Sequence, residues 1–121
     1  MAKRIMVVED NDLNRKLFCD VLKANGFEVE PVAEGDKVLA TARAAMPDLI
    51  IMDIQLPEIS GLELTDRLKK DETMKHIPIV AVTAFAMRGD EQKIMAAGCD
   101  AYLSKPISVT TFLETIRKFI G

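Results

Sequence analysis

The sequence predicts a doubly wound α/β sheet of five parallel strands, and three features carry that prediction. Short apolar runs alternate with longer stretches of helical period, five times over. The first, third and fourth runs are apolar throughout, as strands covered by helices on both faces should be. The length of 121 residues suits one domain and is about half of what a closed eight-stranded α/β barrel needs.

Residues 4–8 (RIMVV) form the first strand, ended by acids. Leu13, Leu17, Val21 and Ala24 then recur at helical spacing, with Asn11 or Asp12 as the cap and Gly26 as the stop. Residues 27–32 read as the second strand. Val38, Leu39, Ala42 and Met46 mark the second helix, which Pro47 ends. Residues 49–52 (LIIM) are the third strand, and residues 61–70, with Leu64 and Leu68, are a helix capped by Ser60. Residues 79–82 (IVAV) are the fourth strand. Residues 90–97 are a weak helix anchored by Ile94 and Met95 before Gly98. Residues 101–104 are the fifth strand, and Val109, Phe112, Leu113, Ile116, Phe119 and Ile120 mark a strongly amphipathic last helix behind Ser108. Alternating βα units imply parallel strands joined by helical crossovers, and five of them in this length suit the flavodoxin-like (βα)5 order 2-1-3-4-5.

Composition narrows the partners. Sixteen Lys and Arg against nineteen Asp and Glu leave a formal charge of −3, which argues against nucleic acid or an anionic membrane as the main partner. No apolar run is long enough to span a bilayer. The first residues enter a strand at once, so no signal peptide is expected and the chain is expected in the cytoplasm. Cys19 and Cys99 read as small buried hydrophobes, since no zinc-type spacing is present. His76, the single histidine, reads as a surface loop residue. The charged positions of the first helix (Asp12, Arg15, Lys16, Asp20, Lys23) read as a solvated face.

Open α/β sheets bind ligands beyond the carboxyl ends of their strands, near the switch in strand order. Glu9 and Asp10 follow the first strand, Asp53 the third, Thr83 the fourth, and Lys105-Pro106 the fifth. Three carboxylates, a hydroxyl and an ammonium are thus expected on one rim. Two carboxylates about 5 Å apart repel by roughly 3 kcal/mol at an effective dielectric of ~20, so a cation or a proton must enter. An all-oxygen set suits Mg²⁺, with Glu9, Asp10 and Asp53 as ligands and the backbone carbonyl of Gln55 as a further one. A carboxylate can also be phosphorylated, and such transfer rests on positioning and charge neutralisation. Asp53 is then the nucleophile, while Lys105 and Thr83 take phosphoryl oxygens.

These residues resemble the signature of receiver domains of two-component response regulators. The set is Glu9-Asp10, Asp53, Thr83 thirty residues on, and Lys105-Pro106 twenty-two beyond that. The resemblance covers the whole chain, residues 1–121 as one receiver domain with no output domain. It implies that Asp53 accepts a phosphoryl group from a histidine kinase or histidine phosphotransfer protein, with Mg²⁺ bound. It implies a cis Lys105–Pro106 bond, a switch in which Thr83 and Tyr102 move, and positions Gln55 and Phe85 that tune hydrolysis. It also implies that the first helix docks the phosphodonor. The face of the fourth helix, fifth strand and fifth helix would engage a downstream output protein or kinase. The stretches MDIQLPEISGLE, VAVTAFAMRGDE and GCDAYLSKPISVTTFLETI are similar to single-domain cell-division regulators of the family. Phosphate-relay and chemotaxis-type receivers are the nearer alternatives. A small Mg-dependent aspartyl-phosphate phosphatase of haloacid-dehalogenase type is the enzymatic one, but its second Asp is replaced here by Gln55. A flavodoxin needs a phosphate-cradling loop after the first strand, where EDNDLN is acidic.

Overall fold

Five strands, β1 (Arg4–Val8), β2 (Glu28–Val32), β3 (Leu49–Asp53), β4 (Ile79–Thr83) and β5 (Ala101–Ser104), form one sheet in the order β2-β1-β3-β4-β5. Every neighbouring pair is parallel. The helices between and after them are α1 (Asp12–Ala24), α2 (Val38–Ala45, behind a 3-10 turn at Gly35–Lys37), α3 (Gly61–Lys70), α4 (Arg88–Ala96) and α5 (Val109–Ile120). The structure is a computed structural model and describes residues 2–57, 59–84 and 88–120; Phe85 lies outside them.

The strand residues alternate between two cores. Ile5, Val7, Leu49, Ile51, Val80 and Val82 pack with Phe18 and Leu22 of α1 and with Phe112 and Ile116 of α5. Met6, Val8, Ile50, Met52, Ile79 and Ala81 pack on the other side with residues of α2, α3 and α4. The rings of Phe18 and Phe112 stack at 5.1 Å, which joins α1 to α5 and adds about 1 kcal/mol beyond area burial. Pro31 sits in β2, an edge strand, where a missing N–H is tolerated.

β3 and β4 each run one residue further than their apolar runs. The amide of Ile54 donates to Val82 O at 3.1 Å, and that of Lys105 to Thr83 O at 2.7 Å. The ladder therefore continues past Asp53 and Thr83, which places both polar residues on the rigid sheet rather than in loops. β2 is one residue shorter at its start than expected, and α4 lies at Arg88–Ala96 rather than residues 90–97.

Three expectations about helix faces need correction. At ~100° per residue, Leu13, Leu17, Val21 and Ala24 fall within about 80° of one another. The buried residues of α1 are instead Phe18, Cys19 and Leu22, centred on the opposite side, with Val21 half-buried against the same core. Leu13 is 80% exposed and Leu17 47%. Met46 does not extend the apolar face of α2: it is the left-handed C-cap, with φ 44°, because Pro47 disfavours helical backbone before it. Met95 is exposed, so among the described residues Ile94 alone anchors α4 in the core. Of the two candidate caps of α1, Asn11 serves: its side chain accepts from Asn14 N at 3.0 Å. Ser60 caps α3 by accepting from Leu62 N.

The entry of α3 sits directly against the end of β3. The amide of Gly61 donates to Ile54 O, and a Cβ at Gly61 would lie 2.2 Å from Asp53 O and 2.8 Å from Ile54 Cα. Backbone cannot yield as a side-chain tip can, so Gly61→Ala is expected to cost ~2 kcal/mol or more through overpacking. Urea denaturation measures this; an unchanged midpoint would show that α3 can step away from the strand.

Candidate functional site

At the carboxyl ends of β1 and β3, one carboxylate oxygen each from Glu9, Asp10 and Asp53 lies within 4.8 Å of the others. Glu9 is 1% exposed and Asp53 2%, while Asp10 faces solvent. Glu9 is tied to the sheet by its amide, which donates to Val32 O at 3.0 Å. The carboxylate of Asp53 accepts from Gln55 N at 2.9 Å, which turns the chain away from the strand end. Lys105 reaches in from beyond β5, its Nζ 3.0 Å from Glu9 Oε1 and 3.6 Å from Asp53 Oδ2. The Lys105–Pro106 peptide bond is cis. Thr83, buried, ends the strand beside β3.

The rim is crowded with like charge. At 4.8 Å and an effective dielectric of ~20, each carboxylate pair repels by roughly 3 kcal/mol. One ammonium cannot balance three carboxylates. Burial, followed by the neighbouring Asp53, pushes the Glu9 carboxyl up to about 7, and the nearby Lys105 only partly opposes this. Burial would lower the Lys105 ammonium, but Glu9 and Asp53 outweigh it and the net direction is upward. Glu9 Oε1 is buried and, despite its close ion pair with Lys105, accepts no hydrogen bond of regular geometry. A buried oxygen left in that state, beside two more carboxylates and no softer donor, fits a hard cation with oxygen ligands.

Other expected site residues surround this notch. Gln55 is exposed, and its side-chain Oε1 accepts from Ala84 N at 3.3 Å, bridging the loops that follow β3 and β4. Tyr102 is half-buried on β5 against the α3–α4 core. Burial raises its phenol, as does the neighbouring Glu91 carboxylate of α4. Sequence reasoning missed Arg15 and Gly61, both of which act on backbone atoms of the site; a glycine opening a helix eight residues after Asp53 was the only available signal.

The Glu9 shift fixes a pH dependence in cation-free solution. Below about 4.5 the group is protonated in both folded and unfolded chains. Between about 4.5 and 7 the unfolded chain ionises first, so folded stability falls as pH rises and levels off above that window. In chelator, Glu9→Gln is expected to gain stability over the native chain progressively across this range, read as urea midpoints at several pH values. A difference that is constant with pH would contradict the assignment.

Residues 5–117 match the response regulator receiver domain family. The polar-differentiation response regulator DivK of Brucella ovis is 57% identical over 121 residues, covering 100% of this chain and 98% of that protein. The protein of the same name from Brucella anthropi is 56% identical with the same coverage. The Vibrio cholerae chemotaxis protein CheY4 superposes with a TM-score of 0.93 at 28% identity, covering 98% of this chain and 99% of that one. The receiver domain of a Pseudomonas aeruginosa sensor histidine kinase, which has a magnesium ion coordinated in its active-site cleft, superposes with a TM-score of 0.92 at 31% identity, covering 100% of this chain and 99% of that one. With five parallel strands in this order and the acidic notch at their carboxyl ends, the chain belongs to the response regulator receiver domain family.

Proposed function

We propose that the protein is a single-domain phosphorylation switch in which Asp53 accepts a phosphoryl group from a phosphohistidine. The observation that carries this reading is the convergence of Glu9, Asp10 and Asp53 within 4.8 Å, with Lys105 Nζ 3.6 Å from Asp53. Glu9, Asp10 and Asp53 would hold Mg²⁺, with the Gln55 carbonyl as a further ligand. When bound, magnesium supplies the charge that screens the carboxylates and draws in phosphoryl oxygens. The Asp53 carboxylate forms the new O–P bond as the N–P bond to the donor imidazole breaks, and that imidazole regains a proton. Lys105 and the Thr83 hydroxyl each take a phosphoryl oxygen. Asp53 gains about one negative charge on phosphorylation, which draws Thr83 inward. Tyr102 follows, and the neighbouring Glu91 carboxylate couples it to α4.

The phosphodonor, a histidine kinase or histidine phosphotransfer protein, would dock on α1. That helix has two apolar stripes, and only one of them is fully buried in the core. The other, with exposed Leu13 and Leu17, borders a groove of about 390 Å³ lined by Asn14, Leu17, Phe18, Lys105, Pro106 and Ile107. The groove therefore leads to the lysine beside Asp53. A downstream output protein or kinase would engage α4, β5 and α5, a face on which Tyr102 of β5 adjoins α4. The names of the DivK relatives support a role in polar differentiation, and the resemblance of three stretches of the sequence to cell-division regulators extends this reading to cell-division signalling. Such a role would be exercised in the cytoplasm, without catalysis beyond the chain's own phosphorylation and dephosphorylation. No described helix is long and apolar enough to cross a membrane.

Incubation with acetyl phosphate and Mg²⁺, followed by intact-mass measurement, is expected to add one phosphoryl group to the native chain and none to Asp53→Asn. Leu17→Glu is expected to label normally from acetyl phosphate but slowly from a phosphorylated phosphotransfer protein. Amide shifts of the labelled native chain should extend to α4 and β5. Labelling of Asp53→Asn, or shifts confined to the rim, would count against the reading.

A further inference from the structure

Arg15 is not a solvated charge. Its side chain is 22% exposed, and its guanidinium folds back from the first turn of α1 onto the chain that leaves β1. Nη1 donates to Glu9 O at 2.9 Å and to Asp10 O at 3.4 Å. Nη2 pairs with the Asp12 carboxylate, which orients the fork from the far side. These contacts complete a clamp. The Glu9 amide is held by Val32 O on one side, and the Glu9 and Asp10 carbonyls are held by Arg15 on the other.

The clamp opposes a definite force. Repulsion among Glu9, Asp10 and Asp53 pushes the exposed Asp10 outward, and no strand pairing includes Asp10 among the described residues. We propose that Arg15 is a positioning residue: it fixes the Glu9–Asp10 backbone so that both carboxylates converge with Asp53 on one divalent cation. The inference rests on the reading of this cluster as a magnesium site, and it assigns Arg15 no contact with the phosphoryl group. Arginine suits the task because a planar fork can serve two carbonyls and a carboxylate at once, whereas a lysine offers a single nitrogen.

The sign of the effect separates positioning from charge. A guanidinium near a cation site repels the cation, so charge alone predicts tighter Mg²⁺ binding when Arg15 is removed. Positioning predicts the reverse. Isothermal titration of the full chain with MgCl₂ should give Arg15→Ala a dissociation constant about tenfold above native, at the low end of the range for groups supporting metal ligands, with Arg15→Lys in between. At saturating Mg²⁺, labelling of Arg15→Ala by acetyl phosphate should return to within about twofold of native, since only the cation site is loosened. Equal or tighter Mg²⁺ binding by Arg15→Ala would overturn the inference. If circular dichroism shows that variant unfolded, Arg15→Lys decides, and a native dissociation constant there overturns it. Absence of Mg²⁺ binding by the native chain would instead overturn the reading of the cluster itself.

Discussion

Three carboxylates forced together at the ends of two adjacent strands are the constraint on which the rest of this structure turns. Left alone, such a cluster would splay apart or take up protons, and burial, followed by Asp53, biases Glu9 toward the second. The fold prevents the first. β1 and β3 are neighbours in the sheet, so Glu9 and Asp53 leave the rim side by side. Gly61 lets α3 press on the backbone of Asp53, and the Glu9 amide is pinned to β2. Lys105 is brought in from the far edge by the ladder bond between its amide and Thr83 O. Unfavourable charge is thus held in place by backbone contacts, the arrangement expected of a functional site maintained at the expense of stability.

The helices divide the remaining work. α1 and α5 share a core with stacked Phe18 and Phe112, which makes that side of the sheet firm. α1 carries a second apolar stripe toward solvent, next to the entrance to Asp53. α4 is the opposite case. Ile94 is its one described anchor in the core, and Tyr102 lies near Glu91 of the same helix. Few apolar contacts make a segment inexpensive to displace. A rigid receiving side and a loosely held reporting side are what a switch of the proposed kind requires.

Much of this was legible in the residue order. β1, β3 and β4 are unbroken apolar runs, and each is followed by the polar residue that the structure places on the rim. The ends of β3 and β4 differed by one residue because Asp53 and Thr83 belong to the ladder itself, which hydropathy cannot register. The face of α1 was misread for a physical reason. Leu13 and Leu17 share helical spacing with Val21 as regular as that of Phe18, Cys19 and Leu22, and periodicity cannot tell a core stripe from one that turns largely to solvent. Met46 and Met95 failed similarly, one claimed by Pro47's backbone demand and the other left outside a thinly packed helix. Arg15 and Gly61 act through carbonyl oxygens and close backbone approach. Neither leaves a signature in side-chain chemistry, so only the folded structure reveals them.

The melting temperature of the native chain near pH 7, in chelator and then in millimolar MgCl₂, tests the shared cation site most directly. A ligand that binds only the folded state stabilises it by mass action. The midpoint should therefore rise with magnesium, and the rise should vanish in Asp10→Asn/Asp53→Asn. An unchanged native midpoint, or an equal rise in the double variant, would mean that the clustered carboxylates do not share a cation.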